Sequence, residues 1–164
     1  MIFFDASAVV KAFTVEHGSP LVHASIARMQ GRLYLTSAVA LEVLGTLAKK
    51  RRADMLTQAE YRAARTKFLQ SLGGALNLLD VHLADFTAGY ELVDRHRQIG
   101  AGAMDVLHIV SALRPQAANQ GQSLVVASSD HGFLSLAHAV GLRTFDPETA
   151  NLATLLDLTR STTN

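Results

Sequence analysis

Residues 1–10, Met1-Ile2-Phe3-Phe4-Asp5-Ala6-Ser7-Ala8-Val9-Val10, set a carboxylate directly between an apolar run of strand length and a stretch of helical period. A charge that close to a buried strand is costly unless something pairs with it. Partners for Asp5 must come from elsewhere in the chain, and their chemistry decides what the protein is for.

Outward from Asp5 the same alternation recurs. Apolar runs at Ile2–Phe4, Leu33–Leu35, Leu76–Val81, Leu124–Ala127 and Leu142–Phe145 are separated by longer amphipathic stretches. This is the pattern of an α/β fold, a mostly parallel sheet covered by helices. Helices are placed at 6–14, 18–29, 37–52, 57–72, 83–98, 104–119, 131–140 and 149–159. Thr36-Ser37 and Ser128-Ser129-Asp130 offer the side-chain oxygens that start helices. Gly73-Gly74 and Gly100-Ala101-Gly102 break elements without forming linkers, because apolar periodicity resumes at once. With no internal repeat, the expected organisation is a single domain over 1–158 and a polar tail over 159–164.

Composition excludes several classes. The 164 residues are 49% hydrophobic and 18% charged, enough to bury one core and unlike a disordered chain. The absence of cysteine rules out disulfides, thiolate catalysis and Cys-based zinc sites, and fits a reducing, cytoplasmic setting. No apolar run approaches the roughly 18 residues of a membrane span, and the N-terminal run lacks the positive charge that precedes a signal peptide's apolar core. A formal net charge of +1 leaves any nucleic-acid binding to local features.

Ligands of open parallel sheets bind outside the carboxyl ends of the strands. Asp5 follows the first strand, Asp130 follows Leu124–Ala127, and Asp105 stands at the loop-to-helix entry of Gly100-Ala101-Gly102-Ala103-Met104-Asp105-Val106-Leu107. Glu42 lies inside the apolar helical stretch Ser37-Ala38-Val39-Ala40-Leu41-Glu42-Val43-Leu44. Four acids gathered at one rim repel one another, and a hard divalent cation, Mg2+ or Mn2+, is the natural compensation. Such an ion generates hydroxide from bound water and stabilises charge developing on a phosphodiester, which is nuclease chemistry. Each acid also has a structural reading. Asp5, Asp105 and Asp130 are suited to capping the helices after them, and Glu42 to pairing with Lys11 or another base.

The order and context of the four acids resemble a PIN domain and, more narrowly, the VapC-type toxins of toxin-antitoxin pairs. The matching stretches are 3–13 with Glu16 to Ser19 behind them, 36–52, 103–113 and 125–142, together spanning nearly the whole chain. The resemblance implies a three-layer sandwich with a central parallel sheet of about five strands between helices. It also implies that Asp5, Glu42, Asp105 and Asp130 form the catalytic pocket, with Asp5, Asp105 and Asp130 on the metal. Ser7 is then the small polar residue beside the first acid, and Ser128 stands where many relatives have threonine. The implied activity is metal-dependent hydrolysis of RNA, leaving a 5′-phosphate and a 3′-hydroxyl. The implied partners are a cognate antitoxin protein and a second copy in a homodimer, with the early helices 18–29 and 57–72 as candidate interfaces. Ala6, where threonine is frequent, is a mild departure that removes no carboxylate.

The remaining charged residues sharpen this picture. Seven histidines carry no His-Glu-x-x-His or paired spacing on one helix face, so zinc is rejected. His108 follows Asp105 by one helical turn and is read as a semi-buried structural residue that can also reach the acids. Lys49, Arg51 and Arg52, with Lys11, are candidate RNA contacts, although a run of bases also complements a helix C-terminus. Arg62, Arg65 and Lys67 extend a possible basic rim. Two rival readings of Asp5 remain. An aspartyl-phosphate phosphatase needs a second aspartate two positions on, where this chain has Ser7. A non-catalytic PIN-like interaction module needs the acids only as caps.

Overall fold

The computed structural model describes residues 1–118 and 123–159. Strand β1 (Ile2–Phe4) leads into a single turn of helix α1 (Ala6–Val9), which tightens into a 3-10 turn at Val10–Ala12. Then come α2 (Ser19–Arg28), β2 (Leu33–Thr36), α3 (Ser37–Arg52), α4 (Gln58–Ser71), β3 (Asn77–Leu79) and α5 (Leu83–Arg95). The chain closes with α6 (Ala103–Ala118), β4 (Val125–Ala127), α7 (His131–Ala139), β5 (Arg143–Phe145) and α8 (Leu152–Thr159).

All strand pairs are parallel, in the order β3-β2-β1-β4-β5. The α/β expectation and the five strands are therefore observed. The central strand is paired on both edges and covered on both faces, which is why Ile2, Phe3 and Phe4 are uniformly apolar and fully buried. Phe3 is in register with Tyr34 on one side and Val126 on the other. From β1 the chain winds outward through β2 and β3, then returns to pair β4 on the opposite edge of β1. The winding direction therefore reverses between β1 and β4, the place where open α/β sheets leave a crevice for ligands.

Boundaries differ from the sequence reading where side chains compete with the backbone. The helix expected over 6–14 is shorter and tighter, and Thr14 folds its hydroxyl back onto the Val10 carbonyl (3.0 Å). The strand expected over 76–81 contracts to Asn77–Leu79, and the helix expected over 83–98 ends at Arg95. Helix α4 starts at a capping box, in which Thr57 and Glu60 satisfy each other's backbone N–H groups. Gly18 enters α2 at φ 86°, and a Cβ there would lie 2.7 Å from the Pro147 carbonyl oxygen, so only glycine allows this approach. Residue 119 of the sixth expected helix and residues 160–164 of the expected tail lie outside the described residues.

Candidate active site

Asp5 terminates β1 with its backbone N–H on the Ala127 carbonyl (2.9 Å), tying together the two strand ends at the reversal point. It is buried, and its Oδ2 accepts from Ser7 N (3.1 Å), Ser7 Oγ (2.6 Å) and Ser128 Oγ (2.9 Å). Those serines are held in turn. Ser129 N donates to Ser7 Oγ (2.8 Å) and Asp130 N to Ser128 Oγ (2.9 Å), so the Asp5 carboxylate is fixed from both strand ends. Asp5 and Asp130 both cap helices, as their structural reading expected. Asp130 Oδ1 accepts from Gly132 N (2.7 Å) and Phe133 N (3.1 Å) at the start of α7. A helix N-terminus and a cation both favour a carboxylate, so capping does not compete with metal chemistry.

Asp105 departs from the capping expectation. It is the third residue of α6 and reaches backward, its Oδ2 accepting from Gly102 N (2.6 Å). The loop before it is brought in by close packing, because a Cβ on Gly132 would lie 2.9 Å from the Gly100 carbonyl oxygen. That approach seats the 100–102 loop on the first turn of α7, beside Asp130. Partial burial, together with the charges of Asp130 and Asp5, pushes the Asp105 carboxyl above its ordinary value of 3.8; the Gly102 bond pulls the other way. Asp105 on α6 thus faces the charges of the two aspartates that follow β1 and β4. Among the described residues no Lys or Arg forms an ion pair with any of the three.

Glu42 joins this group through a residue that sequence left as semi-buried. His108 is fully buried, with Nε2 3.1 Å from Glu42 Oε2 and Nδ1 3.0 Å from Thr36 Oγ1. The partner of Glu42 is therefore His108 and not Lys11. Among the described residues no three His, Asp or Glu side chains already stand in joint ligating reach of one point.

The basic candidates separate. Lys11 is buried, its ammonium 2.5 Å from Glu148 Oε1 and 3.7 Å from Glu16 Oε2, while Lys50 holds the other oxygen of Glu16 at 3.2 Å. Arg51 is occupied by Asp54 (2.8 Å) and Gln58 (3.3 Å). Lys11 is therefore structural, whereas Lys49 and Arg52 are exposed at the end of α3, and Arg62, Arg65 and Lys67 are exposed on α4.

Sequence reasoning passed over the most buried acid. Asp85, 2% exposed, accepts from His82 N (2.8 Å) and Ser111 Oγ (2.9 Å) and stands 3.1 Å from Arg114 Nε. Its neighbours Leu83, Phe86 and Leu92 gave it a helical setting, but nothing in the sequence marked it as the inward residue.

The model of the PIN domain matches residues 2–139. The chain belongs to the PIN domain family. Its fold is shared with FitAcB from Neisseria gonorrhoeae (TM-score 0.62, 17% identity, covering 92% of this chain and all of that one). It is shared as well with VapC20 of Mycobacterium tuberculosis, described as a sarcin-ricin loop cleaving toxin (0.61, 15%, covering 87% and 96%). VapBC2 from Rickettsia felis, bound to a DNA fragment from its promoter, is similar too (0.59, 14%, covering 89% and 98%). No curated protein sequence gives a significant match. At these identities the likeness to solved structures is one of fold. In this PIN domain the acids Asp5 and Asp130 stand at the sheet reversal.

Proposed function

We propose that the protein is a metal-dependent endoribonuclease, the toxin of a toxin-antitoxin pair, acting in the cytoplasm. The observation that carries this reading is the set Asp5, Asp105 and Asp130, in which Asp105 faces the charges of the other two and none of the three has a Lys or Arg ion-pair partner among the described residues. An all-oxygen, negatively charged donor set fits Mg2+ or Mn2+. Mg2+ keeps several waters and takes only one or two carboxylates directly, so a looser arrangement than a three-ligand cage suits it. Asp5, Asp105 and Asp130 are the residues to hold the ion. What such a cation supplies when bound is an acidified water and positive charge against the phosphodiester.

The chain's own groups do the rest. Ser7 and Ser128 fix the Asp5 carboxylate by donating to one of its oxygens. Glu42, about a third exposed, is the carboxylate free to orient the attacking water or take its proton. Lys49 and Arg52 are the exposed bases suited to the RNA backbone. For protein partners, the largest group of exposed apolar side chains is on α5 and α6, while the helices at 18–29 and 57–72 expected from sequence expose Leu69. Leu83, Phe86, Tyr90 and Val93 recur on one side of α5, with Met104 beside them, and all five are exposed. That surface suits the second copy or the antitoxin.

Two neighbours in fold favour the same reading: one is described as a sarcin-ricin loop cleaving toxin, and another is VapBC2 bound to a DNA fragment from its promoter. The capping bonds of Asp5 and Asp130 favour the rival, a non-catalytic module. Calorimetry with Mg2+ and Mn2+, run alongside cleavage of a structured RNA by the parent, Asp5→Asn and Asp105→Asn, separates the two. Metal-dependent cleavage lost in both variants supports the nuclease. A parent that neither binds metal nor cleaves, with variants as stable as the parent because asparagine caps a helix as well as aspartate, establishes the module.

A further inference from the structure

His108 is 0% exposed, yet both of its ring nitrogens are engaged by side chains that lie on or next to a different helix. A carboxylate can only accept, so the nitrogen facing Glu42, Nε2, carries a proton. A neutral ring that donates from Nε2 presents an acceptor at Nδ1, so the Thr36 hydroxyl, which takes Val39 N–H (3.1 Å) as the N-cap of α3, donates its own proton there. A directed chain therefore starts at the first turn of α3, crosses to α6 through Thr36 and His108, and returns to α3 at Glu42. The same His108 stands one turn beyond Asp105, so this strut joins the two helices that carry acids of the site.

An exposed glutamate has three rotatable bonds and samples many rotamers. The Glu42 side chain is 36% exposed, and its only bond to a charged or polar side chain among the described residues is to His108. We infer that His108 is a positioning residue: its Nε2–H holds the Glu42 carboxylate in place, and Thr36 selects the tautomer that lets it do so. This inference rests on the nuclease reading for its effect on turnover, but the strut itself does not.

The test uses the full chain with His108→Leu, which removes both bonds, and His108→Gln, whose amide N–H can stand in for Nε2–H. Each is made alone and together with Glu42→Gln, with RNA cleavage in Mg2+ and thermal melting read on every variant. His108→Leu is expected to lower kcat about 10- to 100-fold, the range for groups that orient an active-site ligand. His108→Gln is expected to recover most of that loss. In the Glu42→Gln background His108→Leu adds less than about twofold, because residues acting through one another are not additive.

An equal kcat loss with and without Glu42→Gln, or a His108→Gln variant that is folded but no better than His108→Leu, overturns the inference. So does a Glu42→Gln variant as active as the parent. A readout independent of activity is the ring 15N spectrum of His108, where a protonated Nε2 is expected and an unprotonated one is disqualifying. If the parent cleaves no RNA, the nuclease reading fails, and this spectrum alone decides whether the strut exists.

Discussion

Helix α6 carries two carboxylate environments, one near each end, and they are built in opposite ways. Toward its C-terminal half, Asp85 of α5 is matched by Ser111, Arg114 and the His82 N–H, with Arg114 also holding His82 Nδ1 (2.7 Å) and the Asp80 carbonyl. At its N-terminus Asp105 receives one backbone N–H and faces two further aspartates. A buried charge matched by an opposite charge and by hydrogen-bond donors closes a structure, because it has little left to offer a ligand. A charge placed among like charges makes the fold less stable in exchange for a site that attracts a cation.

The comparison is broken most sharply by neutralising each acid in turn. Asp105→Asn is expected to lower metal-dependent RNA cleavage by about 10²- to 10⁴-fold, the scale of a positioned catalytic carboxylate. Its metal-free melting temperature should not fall, since the Asn oxygen can still accept the Gly102 N–H. Asp85→Asn should do the reverse, leaving cleavage per folded molecule intact while losing about 2 to 3 kcal/mol in urea unfolding, because its charged partners are stranded. Equal stability losses in the two variants would erase the distinction between the sites.

A smaller effect concerns pH. The folded value of Asp105 lies above its ordinary 3.8, so ionising it disfavours the fold. That cost is absent below the ordinary value and grows as pH rises through the raised one. A pH series of melting curves without metal should show the parent losing ground to Asp105→Asn across that interval, by a few degrees at most, and Mg2+ should shrink the gap. Smallest of all, Lys49→Gln with Arg52→Gln should weaken RNA binding and flatten its salt dependence, by about 0.7 in slope for each phosphate no longer neutralised. Lys11→Gln should act on stability instead, since its ammonium is already held by Glu148.

Much of this was legible along the chain. Period-2 and period-3.6 apolar patterning is set by side chains within a few residues of one another, which is why all five strands and every helix but the first were placed within about three residues of their structural limits. The α1 segment was overextended because the Thr14 hydroxyl competes for a helical carbonyl, an interaction that hydrophobic pattern does not register. Two of the candidate acids, Asp5 and Asp130, were picked out by their place after strands, but that position is not decisive by itself. Asp80 and Asp146 also follow strands. Asp146 turns its oxygens onto Glu148 N (2.8 Å) and Thr149 Oγ1 (3.0 Å), away from any shared pocket.

By itself the sequence determined the alternation of strands and helices, the apolar central strand and the presence of carboxylates at β1, α3, α6 and β4, all of them local facts. Only the tertiary structure decided which of those carboxylates meet. The winding reverses between β1 and β4, Gly132 admits the Gly100 loop, and His108 bridges 66 residues to Glu42. It also decided that Lys11 is buried and that Arg114 neutralises Asp85. Partner choice for a charge depends on distance and burial in three dimensions, and neither is encoded in the spacing of residues along a chain.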